Sequence, residues 1–190
     1  MRINMKKLAL MLASAAALTS VANAAVEGKN FTGFYVGGQL GYGSGKVKQT
    51  ASSDLGTSGV VGGLHVGFGK EFNNRLFLGL EAFGNLSNTE GKLNASGDKY
   101  RRRNEFGAAI VPGFVCGNAL LYVTAGISSA TWKTTGHSKR VTGFVPGLGV
   151  AFKTSDRVTV GVQGTQALYK KHAGLKARTT DVTGRISYTF

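Results

Sequence analysis

Three consecutive arginines, Arg101-Arg102-Arg103, carry the plainest chemistry in this chain of 190 residues. A guanidinium stays charged at any physiological pH and offers donors in a fork that matches two oxygens of a carboxylate, phosphate or sulfate. Lys139, Arg140, Lys170, Lys171, Lys176 and Arg178 repeat the sign in two later polar stretches. These nine side chains form a candidate polyanion-binding set. His65 and Glu81 could be imagined as a catalytic base and acid. No serine nucleophile or third orienting group can be assigned beside them, so a structural role is expected and no catalytic residue is named. No metal site and no cofactor are expected. Cys116 stands alone, cannot form an internal disulfide, and reads as a small turn residue.

The elements that must position these groups follow from period-two alternation. From Val60 to Lys70 the even positions Val60, Leu64, Val66 and Phe68 are apolar, while the odd ones are mostly small or polar. After a turn at Phe72-Asn73-Asn74-Arg75, Leu76, Leu78, Leu80 and Ala82 resume one face against Phe77, Gly79, Glu81, Phe83 and Asn85 on the other. Alternation broken by an Asn-rich turn predicts a β-hairpin. Six further stretches behave alike, with apolar sets beginning at Phe34, Phe106, Leu121, Phe144, Val158 and Val182. No stretch after the N-terminus has a helical apolar period that could cover such a sheet. Lipid is the cover that remains, and only a closed sheet satisfies its backbone in hydrocarbon.

The expected fold is therefore all-β, an eight-stranded antiparallel up-and-down transmembrane β-barrel spanning 25–190. Short turns alternate with four surface loops at 45–58, 87–104, 133–141 and 170–178. Residues 1–24 read as a signal peptide, with basic Arg2, Lys6 and Lys7, an apolar run, and Ala22-Asn23-Ala24 before a cleavage between Ala24 and Ala25. The 29 glycines suit the narrow interior of such a barrel. Its lumen is predicted to hold Gln39, His65, Glu71, Glu81, Glu105, Tyr122, Gln163, Asp181 and Arg185, paired with one another because buried charge is costly otherwise. Pro112 and Pro146 fall inside strands of a sheet with no free edge, so bulges are expected there.

The segment Asn30-Phe31-Thr32-Gly33-Phe34-Tyr35-Val36-Gly37-Gly38-Gln39-Leu40-Gly41-Tyr42 resembles the opening strand of the small outer-membrane β-barrel family of Gram-negative bacteria, in its opacity-type and hemin-binding branch. Arg185-Ile186-Ser187-Tyr188-Thr189-Phe190 is similar to that family's C-terminal strand. The resemblance implies an outer-membrane location and an insertion signal at Tyr188 and Phe190, read by the barrel-insertion machinery.

Formal charge is +14, of which the signal peptide carries three positive residues. The four expected loops hold fourteen basic against three acidic residues, and the remainder of the mature chain balances. A concentrated field of one sign raises the local concentration of anions. Outer-membrane lipid and lipopolysaccharide phosphates are the nearest, with host surface polysaccharide or heme propionates as further partners. No specific nucleic acid is expected, and the barrel reads as a monomer. The bland alternative is a solvated basic crown that only neutralises lipopolysaccharide. The leading function is a structural or adhesin-like surface protein that presents basic loops to anionic ligands. A small porin-like channel needs an open lumen, and a barrel enzyme acting on lipid or peptide needs a loop-borne acid/base set. A soluble lipocalin-like barrel would reverse the faces; outward aromatics near the strand ends, among them Phe34, Tyr42, Phe68, Phe106 and Phe152, instead suit interfacial girdles.

Overall fold

The computed structural model describes residues 30–49, 52–73, 75–92, 99–134, 137–169 and 176–190. The expected signal peptide and its Ala24–Ala25 junction lie outside them, as do Lys170 and Lys171. Eight strands follow in order: β1 (Gly33–Gln49), β2 (Ser52–Glu71), β3 (Leu76–Lys92), β4 (Lys99–Cys116), β5 (Ala119–Thr134), β6 (His137–Lys153), β7 (Val158–Tyr169) and β8 (Lys176–Thr189). Each pairs antiparallel with its sequence neighbour, and β8 closes on β1. The all-β up-and-down barrel expected from the alternation is the fold observed.

Register fixes the barrel's shape. The ladder runs from Val36 to Val66, Ala82, Ala108, Ile127, Phe144, Leu168 and Arg178, and returns to β1 at Lys46. The path from 36 to 46 is a stagger of ten residues over eight strands, which corresponds to a strand tilt of about 40°. Outward positions are apolar and open, as with Leu64 at 70% and Leu148 at 69% exposure. Inward neighbours such as His65 and Gly149 are covered or partly covered. Two-residue hairpin geometry appears at Gly117-Asn118, where Gly117 has a φ of 62° that glycine adopts without strain.

Two expectations are corrected. Stretches 45–58, 87–104 and 133–141 are largely ladder rather than loop, leaving 50–51, 93–98 and 135–136 between the strands, whereas of 170–178 only 176–178 belong to a strand, β8. Above a lipid band about 25 Å tall both faces of a strand meet water, so the alternation that marks a strand fades while its backbone pairing continues. Pro112 and Pro146 cause no bulge. Pairing of β4 with β5 skips Val111 and Pro112 and resumes in unchanged register at Gly113–Tyr122, and β6 with β7 skips Val145 and Pro146 in the same way. Each proline removes a donor toward one neighbour and keeps its pairing with the other, Leu78 for Pro112 and Ala125 for Pro146. Register shifts lie instead at Val47/Gln49, Leu86/Thr89 and Arg102/Glu105, all toward the basic end.

Candidate functional site: a filled lumen and a basic ladder

The interior is a set of connected polar side chains above an apolar stopper. Arg185 of β8 reaches across the lumen to Glu81 of β3, with Nη2 2.6 Å from Oε2. The Tyr35 hydroxyl donates to the same oxygen at 3.0 Å. Arg185 Nη1 also donates to Gln163 Oε1, which accepts from the Tyr122 hydroxyl at 3.1 Å. A second group lies nearer the basic end: Gln39 donates to Asn85, Asn85 Nδ2 to Glu105 at 3.3 Å, and Ser128 Oγ to Glu105 at 2.7 Å. All nine predicted lumen residues point inward, and alternation alone was sufficient to find them. Tyr35, Asn85 and Ser128 complete the network. Their inward parity was legible, but partners across the lumen come from non-neighbouring strands and leave no trace in local pattern.

His65 does not meet Glu81. Its Nε2 lies 2.8 Å from Ser187 Oγ, and among the described residues its Nδ1 finds no hydrogen-bond partner. A serine and a histidine are thus adjacent with no acid holding the imidazole from behind, and the arrangement lacks the third member that orients a catalytic base.

The stopper was not visible in the sequence. Phe31, ahead of β1, turns into the barrel and packs edge-on against Phe77 with centroids 6.4 Å apart. Val111, Val115, Leu120 and Tyr122 complete the apolar cluster. Polar contacts fasten the segment: Phe31 N donates to Glu71 Oε2 at 3.1 Å, Glu71 N to Thr32 Oγ1 at 2.9 Å, and Lys153 Nζ to Asn30 O. That ammonium also stands 5.2 Å from the centroid of the Phe31 ring, within cation–π range. A cavity of about 60 Å³ remains between stopper and ion pair. The lumen is therefore packed with side chains, as an eight-stranded wall requires.

At the opposite end, the strands place the basic residues in register. Lys46 pairs with Arg178, Lys48 with Lys176, Lys92 with Lys99, and Arg101 with Lys133. Arg102 is opposite Thr89 and Trp132, Lys139 opposite Trp132, and Arg140 opposite Thr131. Thus Arg101, Arg102 and Arg103 belong to β4 rather than to a free loop. The Arg140 and Arg178 side chains are exposed. Like charges on directly opposed positions repel, so the Lys46–Arg178, Lys48–Lys176 and Lys92–Lys99 rungs are costly without a counter-anion, while Arg101 also has Glu90 opposite it on β3.

The C-terminal pair lies on the outer wall near the stoppered end. Tyr188 and Phe190 meet edge to face with centroids 5.2 Å apart, and Phe190 N donates to Phe34 O at 2.9 Å. Arg157, in the β6–β7 connection, donates to the Tyr188 hydroxyl at 2.9 Å, a contact that raises the guanidinium pKa above its ordinary value.

Among solved structures, the fold is similar to Neisserial surface protein A, at 16% identity and a TM-score of 0.58, covering 84% of this chain and 98% of that one. The attachment invasion locus protein Ail of Yersinia pestis aligns at 18% identity and a TM-score of 0.47, covering 84% and 100% of the two chains. OprG, an outer membrane protein of Pseudomonas aeruginosa, aligns at 14% identity and 0.46, covering 87% and 99%. No curated protein matches the chain by sequence. The model of the outer membrane protein β-barrel domain matches residues 9–190, so this chain belongs to that family and resides in the bacterial outer membrane.

Proposed function

We propose that this barrel is a surface protein whose work is done by its basic ladder, which binds polyanions such as lipopolysaccharide phosphates, sulfated host polysaccharide or the propionates of heme. The observation that carries the reading is the set of like-charged rungs, Lys46–Arg178, Lys48–Lys176, Lys92–Lys99 and Arg101–Lys133, on the strand ends beyond the apolar band. An anion between two such positions turns a repulsive rung into an attractive bridge. Steady passage of solute would have to displace both the Phe31 stopper and the Glu81–Arg185 pair, which disfavours a channel. Catalysis is disfavoured because Glu81 is held by Arg185 and Tyr35, Glu105 by Ser128 and Asn85, and the His65–Ser187 pair has no acid behind it among the described residues. The barrel acts as a monomer in this reading, without a cofactor, and its insertion is directed by Tyr188 and Phe190.

The test is heparin binding by the detergent-folded barrel across a salt series. Exposed charges are screened over about 8 Å at physiological ionic strength, so binding should weaken steeply with salt. Replacing Arg101, Arg102 and Arg103 with Thr, which suits a strand, should lower affinity while the barrel remains heat-modifiable. Salt-independent binding, or a triple variant that binds like wild type, would count against the reading.

A further inference from the structure

The outer wall below the basic ladder repeats one vertical order of chemistry on two sides of the barrel. Across β5 and β6, Ile127 pairs with Phe144, Ser129 with Thr142, and Thr131 with Arg140. Across β8 and β1, Tyr42 pairs with Val182, Ser44 with Thr180, and Lys46 with Arg178. Each seam thus ascends through an apolar rung, a hydroxyl rung and a basic rung, all of one parity. Phe144, Thr142 and Arg140 are exposed, whereas Gly143 and Val145 are buried and Val141 is partly buried, so the ascending set faces outward. Arg178, Thr180 and Val182 face outward by the same criterion, with Thr179 and Asp181 buried.

We infer that the β5–β6 seam is a seat for a phosphorylated lipid of the membrane's own outer leaflet, and that the basic ladder therefore engages anions in cis as well as in solution. The spacing supports this. Rungs two residues apart are about 6.6 Å apart along a strand, so on a wall tilted about 40° the basic rung rises roughly 10 Å above the last apolar one. A leaflet's polar layer is about 5–8 Å deep beyond its hydrocarbon, so a guanidinium at that height, on a side chain able to bend downward, meets the phosphates. The hydroxyl rung falls at the level of sugar and ester oxygens.

A second observation identifies what lies beneath. Ile127 and Phe144, the apolar rung of this seam, form the upper wall of an outward depression of about 730 Å³, floored by Ala82, Ala108 and Ala125. Three small side chains among Leu80, Ile110 and Ile127 leave a trench inside the apolar band and continuous with the seat. An acyl chain attached to a phosphate held at Arg140 would descend into it. The inference rests on the anion-binding reading above and names one ligand for it: a lipid carrying both a phosphate and acyl chains.

The test uses the full mature barrel, folded and exposed to bis-phosphorylated lipid A or to the same lipid dephosphorylated, then washed in mild detergent and weighed intact by native mass spectrometry. The phosphorylated lipid should be retained and the dephosphorylated one lost. Arg140→Gln with Thr142→Val should reduce retention about tenfold, the effect of losing one charge-assisted hydrogen bond. Ala108→Phe, which fills the trench and leaves every charge in place, should reduce it independently. Equal retention of the two lipids, or retention indifferent to both variants, would overturn the inference. Heparin binding measured on the same samples separates the readings: normal salt-sensitive heparin binding without phosphate-dependent lipid retention removes the seat and leaves the broader reading standing.

Discussion

Arg185 and Glu81 belong to strands that share no ladder, β8 and β3, yet their side chains meet at 2.6 Å in the middle of the lumen. The contact works as a crossbar between opposite walls. Tyr35 and Gln163 occupy further polar positions on the two groups, so neither charge depends on one partner alone.

Removing one end of the crossbar leaves the other charge buried. Arg185→Leu should destabilise the barrel by about 3–5 kcal/mol, as should Glu81→Leu, whereas the double variant should lose less than either single change. Urea titration in lipid vesicles, followed by gel mobility of the folded form, measures this. Additive losses in the double variant would show that the two groups act independently.

Close packing at the β1–β8 seam makes a sharper comparison between two glycines. A Cβ on Gly41 would run into the backbone carbonyl of Val182 and sit 2.6 Å from Thr183 Cα, whereas one on Gly164 would meet nothing within 4 Å among the described residues. Gly41→Ala should therefore cost about 1–3 kcal/mol or more through overpacking, while Gly164→Ala should fold like wild type. Comparable folding yields for the two variants would contradict the described packing.

Leu80 tests the outer face. It is 63% exposed and stands between Phe68 and Ile110 in the ladder, within the apolar band. Leu80→Arg should cost about 2–4 kcal/mol in vesicles if the position is near the midplane, and Leu80→Ala distinctly less. Equal folding free energies for Arg and Ala at this position would show that it does not face hydrocarbon.

What the sequence disclosed and what it hid divide along physical lines. Facing was legible because lipid imposes a strict contrast between Leu64 and His65, or Leu80 and Glu81, and each of those residues faces as its parity requires. Strand ends were not, because outside hydrocarbon nothing demands apolar residues on the outward face, and the outward-parity positions Ser44, Lys46 and Lys48 carry no apolar set. Lumen partners such as Arg185 and Glu81 lie 104 residues apart, and parity gives direction without partner. Phe31 was legible as part of the opening motif, but its turn into the barrel was not, because it precedes the first alternating residue. The prolines misled for a different reason: a lost donor was expected to force a bulge, whereas Pro112 and Pro146 each forgo rungs on one side and leave the register intact.

The last prediction decides which end of the barrel meets the outside. The stoppered end carries the short connections, and an exposed native thiol, Cys116, lies at one of them, beside Gly117-Asn118. Outer-membrane barrels turn short connections toward the periplasm and longer ones outward. An impermeant maleimide should then fail to label Cys116 on intact cells and label it once the outer membrane is permeabilised. In a Cys116→Ser background, cysteines at Asn73 or Ser155 should behave like Cys116, since both positions are exposed at the same end. Cysteines at Ser96 or Gly174, in the connections 93–98 and 170–175, should label on intact cells. The reverse pattern would put the basic ladder in the periplasm, away from lipopolysaccharide and from any host surface, and would remove the ground for both anion-binding readings.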